Sequence, residues 1–205
     1  MISPFCRHTR FVLLVFYMLV AWFITCAPAQ AQDKRMARQL FERGQRHYDR
    51  QEYKKAMDAF NKALAIDSLF TAALNNKGNV FYKQGKPDKA MKWYNKAIAT
   101  DSAYAESYFN KGFLYMQKHE NANALFQFNR SISLNPNNAT AWSHLGWIKF
   151  RMGMYQAALH DQNQAIELEG DYPLALYRRG RVRQHLQQFD KAREDYSRCI
   201  SLSDY

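Results

Sequence analysis

TAALNNKGNVFYKQGKPDKAMKWYNKAIATDSAY, residues 71–104, contains two helix-like halves separated by Gly85-Lys86-Pro87. Leu74, Phe81 and Tyr82 recur at helical spacing in the first half, and Ala90, Tyr94, Ala97 and Ile98 do so in the second. Pro87 suits the first turn of the second helix, where its missing N–H costs nothing. The stretch decides the fold because it recurs. Gly44, Gly78, Gly112, Gly146 and Gly180 follow one another without a slip, at an interval equal to the length of the stretch itself. Ala56, Ala90, Ala124, Ala158 and Ala192 keep the same interval. A third column, Ala63, Ala97, Ser131, Ala165 and Cys199, is small throughout, and a fourth, Leu40, Leu74, Tyr108, Trp142 and Leu176, is large and apolar. Ser68, Ser102, Pro136 and Gly170 break the chain between units. The small columns predict close crossings of paired helices. No unit of this size buries its apolar stripe alone, so neighbours must stack.

This succession of large apolar, glycine, aromatic, alanine, aromatic, small and breaker positions resembles the tetratricopeptide repeat. Five units follow a lead-in at 32–36: 37–70, 71–104, 105–138, 139–172 and 173–205. The resemblance implies an all-α fold, a right-handed superhelical solenoid of five helix–turn–helix repeats with a concave groove. Three positions depart from the pattern. Lys149 and Arg183 stand where Phe81 and Tyr115 are aromatic, and Gln162 replaces the aromatic found at Phe60, Tyr94, Phe128 and Tyr196. These departures are expected to weaken the later units.

Nothing in the sequence assembles a reaction centre. There is no GxGxxG, GxSxG or phosphate-binding loop. His47, His119, His144, His160 and His185 form no helical-spacing pair with another His or Cys, which argues against zinc. His144 and Trp147 lie one turn apart, but without an acid or metal partner the histidine reads as a half-buried surface group. The chain is therefore expected to be no enzyme, with no cofactor, no metal ligand and no catalytic residue.

In proteins similar to this one, the first helix of each unit lines the groove. The resemblance places Phe41, Asn75, Asn79, Phe109, Phe113, Trp147, Tyr177 and Arg181 there. Phe109, Phe113, Trp147 and Tyr177 are expected to be the aromatic anchors, because such side chains dominate recognition surfaces. Asn76 and Asn110, one period apart, form a two-rung amide ladder able to grip a peptide backbone; Glu42, His144 and Arg178 occupy the equivalent places. The two-carboxylate clamp of chaperone-binding members is not expected, since Phe41, Gln45, Glu106 and Asn110 stand where that clamp needs other groups. The implied role is a protein–protein scaffold binding a partner protein or peptide.

Residues 1–31 differ from the rest. Arg7 and Arg10 precede an unbroken apolar or neutral run, Phe11 to Thr25, and Ala29-Gln30-Ala31 has the small-x-small form of a cleavage site. The segment reads as a cleaved export signal, with an uncleaved membrane anchor as the main alternative and lipidation at Cys26 as a third, against which Phe23-Ile24-Thr25 is a poor lead-in; each places the solenoid in the periplasm or outside the cell. Cleavage would leave Cys199 as a lone cysteine and lower the net charge from +11 to +9. Lys77, Lys83, Lys86, Lys89, Lys92 and Lys96 crowd the second unit, and Arg178, Arg179, Arg181 and Arg183 the last. That charge suits an anionic surface or polymer. Export and the lack of a recognition motif argue against nucleic acid. Two further roles remain open beside the adaptor: an assembly subunit of a secretion or pilus-like apparatus, and an accessory module of an envelope carbohydrate or lipid enzyme complex. Ala192, Tyr196, Cys199 and Leu202 on the last helix are expected to leave an apolar end that self-associates or docks a partner.

Overall fold

The computed structural model describes residues 30–203, and every regular element among them is a helix. Helix α1 covers the described residues 30–49. After it come α2 (Tyr53–Ile66), α3 (Thr71–Lys83), α4 (Pro87–Thr100), α5 (Ala105–Gln117), α6 (Asn121–Leu134), α7 (Ala139–Arg151), α8 (Tyr155–Leu168), α9 (Pro173–His185) and α10 (Phe189–Ser203). The expected leader lies outside the described residues except for residues 30 and 31, which belong to α1. No described helix is long and apolar enough to cross a membrane.

The turn inside each unit is built the same way five times. Gln51, Gly85, His119, Gly153 and Gln187 all have φ between 59° and 78°, the left-handed region, and they too keep the period of the glycine column. At each, two backbone bonds close the preceding helix. At Gly85, for example, the Gly85 N–H donates to Tyr82 O and the Lys86 N–H to Phe81 O, both at 2.9 Å. This is the Schellman arrangement, which satisfies carbonyls that a helix end would otherwise leave bare. Glycine adopts this φ freely at 85 and 153, whereas Gln51, His119 and Gln187 hold it against a Cβ clash.

Residues up to Ala73 and residues from Leu74 form two compact units. In the first, α1 crosses α2 at Gly44, where an added Cβ would lie 2.5 Å from the ring of Phe60. Phe60, Ala56 and Ala63 are fully buried there. In the second unit α5 packs on α6, α7 on α8 and α9 on α10, while α4–α5, α6–α7 and α8–α9 join successive pairs. The glycine column does the same work in each pair: a Cβ at Gly112 would meet Phe128 at 2.9 Å and one at Gly180 would meet Tyr196 at 2.5 Å. Buried Tyr94, Phe128, Leu114, Leu145 and Ile148 fill the space between, each worth about 1.5–3 kcal/mol in burial.

The departures expected to weaken the later units are matched by compensating partners. Lys149 Nζ meets the buried Asp161 Oδ2 at 2.7 Å, and Arg179 and Arg183 meet the buried Asp195 at 2.6 and 2.9 Å. Lys149 and Arg183 are one period apart, as are Asp161 and Asp195, so two successive units exchange an aromatic contact for an ion pair in the same register. Burial pushes the Asp161 carboxyl above its ordinary range, and the Lys149 ammonium opposes that shift without cancelling it. At the end of the chain Ala192 is buried, Cys199, Leu202 and the Tyr196 that lies over Gly180 are half-buried, and Ile200 and Phe189 are exposed apolar groups of α10.

Candidate binding groove

One contact recurs along the first helices of the second unit, linking each to the next in a fixed register. From α3 to α5, Asn110 Nδ2 donates to Asn75 Oδ1 at 3.0 Å. From α5 to α7, Phe109 meets the ring of His144 at 5.7 Å. From α7 to α9, Arg178 Nη1 donates to Ser143 Oγ at 2.9 Å. The register is constant while the chemistry passes from amide pair to ring pair to guanidinium–hydroxyl pair.

Asn75 belongs inside this seam. It is 3% exposed, and its Oδ1 also accepts from the buried Ser107 hydroxyl at 3.0 Å. Its own Nδ2 donates to Asn76 Oδ1, which also accepts from Asn79, while Asn79 Oδ1 accepts from the Tyr94 hydroxyl. Asn75 therefore ties α3 to α5 and presents no free amide to a ligand. The Asn76 amide nitrogen and the Asn110 carbonyl oxygen make no hydrogen bond among the described residues, and both residues are half-buried.

Phe109 and Phe113 are half-buried against the cluster of Phe128, Leu145 and Ile148. Together with Phe128 they enclose His144. The imidazole stacks on Phe128 at 5.6 Å and 10°, and Phe113 meets it edge-on at 5.5 Å. Burial lowers the His144 pKa to about 3, and the Arg178 charge acts in the same direction. The ring is thus neutral. Arg178 can only donate, so His144 Nδ1 accepts from its Nη2 at 3.4 Å and the imidazole proton sits on Nε2.

Gln162 completes this network. Its Nε2 donates to Ser143 O at 2.8 Å and its Oε1 accepts from Ser143 Oγ at 3.1 Å, filling the space that an aromatic ring takes in the other units. Ser143 falls in the groove-lining series of the first helices and Gln162 is a departure from the aromatic column, but sequence alone does not join the two as a pair. The trace the pair leaves there is that the aromatic column breaks at 162 in the same unit where its neighbour on the facing helix is a serine.

Trp147 stacks on Phe150 at 5.1 Å, and the Arg178 guanidinium lies 5.6 Å from the Trp147 ring. Tyr177 is 42% exposed, and its hydroxyl accepts from Arg181, which also lies 5.7 Å over Phe150. The four arginines of α9 do not make one basic patch. Arg178 is buried, Arg179 and Arg183 share Asp195, and Arg181 lies over the Phe150 ring and donates to the Tyr177 hydroxyl. Phe41 belongs to the first unit, where it packs on Phe60 and Phe70 and lines a cleft of about 560 Å³ with Lys34, Arg38 and Glu42. No group of three His, Cys, Asp or Glu side chains among the described residues could hold a metal.

Comparison with known proteins bears on the same framework. Family models described as TPR repeat match residues 44–85 and 78–119, and models described as tetratricopeptide repeat match 105–138, 128–160 and 174–204. No curated protein matches the sequence. Among solved structures, PilF of Pseudomonas aeruginosa superposes with a TM-score of 0.76 at 19% identity, covering 84% of this chain and 78% of that one. MamA superposes at 0.66 with 22% identity, covering 78% of this chain and 94% of that one. YrrB, described as a TPR protein with an unusual peptide-binding site, superposes at 0.63 with 21% identity, covering 87% and 92%. At these identities the likeness speaks to the fold.

Proposed function

The chain belongs to the tetratricopeptide-repeat family, and on that premise we propose that it is a non-catalytic scaffold that holds an extended segment of a partner protein along α5, α7 and α9. The observation that carries this reading is the combination, on these helices, of half-buried Phe109, Phe113 and Trp147, exposed Tyr177 and the Asn110 amide, with a second amide at Asn76 on the neighbouring α3, both amides having bonding capacity to spare. Aromatic rings supply contact area at little entropic cost, and an amide donor and acceptor match a peptide backbone whatever its sequence. YrrB, which shares the fold, has an unusual peptide-binding site. The Arg7, Arg10 and Ala29-Gln30-Ala31 leader supports work in the cell envelope.

The test is photo-crosslinking in the native cell from a reactive residue placed at Tyr177, followed by identification of what is captured. Replacing Phe113 and Trp147 together by alanine should abolish capture while circular dichroism keeps its helical signal. Capture that is unchanged in a folded double variant would refute the groove.

A further inference from the structure

Resting on this reading of the α5–α7–α9 face, we infer that Arg178 is the receptor for one carboxylate, an acidic side chain carried within the partner's segment.

Among the cations of the last two units, Lys149, Arg179 and Arg183 are met by a carboxylate; Arg151 and Arg181, which are not, are more exposed than Arg178 and rest on carbonyl, imidazole, hydroxyl or ring partners. Lys149, Arg179 and Arg183 are less buried than Arg178, and each lies within 3 Å of a buried aspartate. Arg178 is 8% exposed, and its partners are the neutral Ser143 hydroxyl and the neutral His144 ring. No aspartate or glutamate pairs with it among the described residues. Burial pulls its pKa down to about 10, which still leaves it charged at neutral pH. An enclosed cation with no counter-ion is costly, and chains keep such groups where a ligand supplies the missing charge.

The surroundings suit a carboxylate. A guanidinium carries five N–H donors, and the two bonds to Ser143 and His144 leave others for a carboxylate oxygen. Ser143 is held by Gln162 and His144 by three phenylalanine rings, so the guanidinium is positioned in advance. The Trp147 ring lowers the local dielectric, which strengthens an ion pair made there. Tyr177, exposed on the same helix, offers apolar contact beyond the guanidinium. The carboxylate is taken as a side chain of a segment that also contacts Tyr177, rather than as the segment's end.

Display of short random peptides against the full chain tests this. In one arm both peptide ends are embedded in carrier protein, and in the other the C-terminus is free. Aspartate or glutamate should dominate one position in the embedded arm. Changing that residue to its amide in an enriched peptide should weaken binding about tenfold or more, as for a charge-assisted bond made in a dry site. With Arg178→Gln the acid and amide peptides should bind alike. As a readout independent of any variant, the acid peptide should shift the Arg178 Nε–H resonance of the native chain, and the amide peptide should not. Enrichment without an acidic position, discrimination that survives Arg178→Gln, or an unmoved Arg178 resonance overturns the assignment and leaves the groove standing. Acidic preference confined to free C-termini overturns the side-chain source. No enrichment in either arm overturns the groove and this inference together.

Discussion

Acidification should destabilise the second unit through one histidine. His144 is 7% exposed, enclosed by Phe109, Phe113 and Phe128 and faced from α9 by the Arg178 guanidinium. The aromatic faces would favour an imidazolium by about 2 kcal/mol, but desolvation and the arginine charge outweigh them and hold the folded pKa to about 3. In the unfolded chain the ring titrates near 6.5. The folded state therefore binds fewer protons than the unfolded state between those two values. The contribution of His144 to stability is complete above about pH 6.5 and is lost as pH falls, at about 1.4 kcal/mol per unit. Relative to pH 7.5, the loss reaches about 1.4 kcal/mol at pH 5.5 and about 2.7 kcal/mol at pH 4.5. Other groups titrate as well, so the measurement is the difference between the native chain and His144→Asn, asparagine being the residue at the equivalent positions 76 and 110. Urea unfolding of both proteins at each pH gives that difference, and any constant cost of the substitution cancels. A difference that stays flat from pH 7.5 to 4.5, or a His144 ring that protonates near pH 6.5 in the folded protein by NMR, would refute the reasoning.

Three further outcomes follow from the packing. Gln187→Gly, which relieves a left-handed backbone at φ 59°, should raise stability by about 0.5–1 kcal/mol in urea unfolding, whereas the same change at Gln188, one residue on, should not. Gly180→Ala should lose about 1 kcal/mol net by thermal unfolding, because overpacking against Tyr196 at 2.5 Å outweighs the helix-propensity gain. Asp195→Asn strips Arg179 and Arg183 of their shared carboxylate, and calorimetry should show a loss of about 3–5 kcal/mol.

The periodic glycine and alanine columns determined the helix pairs without help from coordinates. Only a residue without a side chain lets two helices approach as α9 and α10 do at Gly180, so the requirement is local and stays visible in one dimension. The ion pairs were visible in principle by the same logic: Lys149 with Asp161 and Arg183 with Asp195 repeat one sequence spacing in successive units. The working face was not visible in this way. Asn75 and Asn76 are adjacent identical residues, yet one is sealed into the α3–α5 seam and the other keeps a free amide nitrogen, because the neighbouring helix decides which side chain is covered. The α9 arginines make the same point more sharply. Sequence shows four positive charges on one helix, but a charge is defined by what faces it, and only the tertiary structure places Asp195 against two of them, the Phe150 ring beneath a third and, among the described residues, no carboxylate beside Arg178.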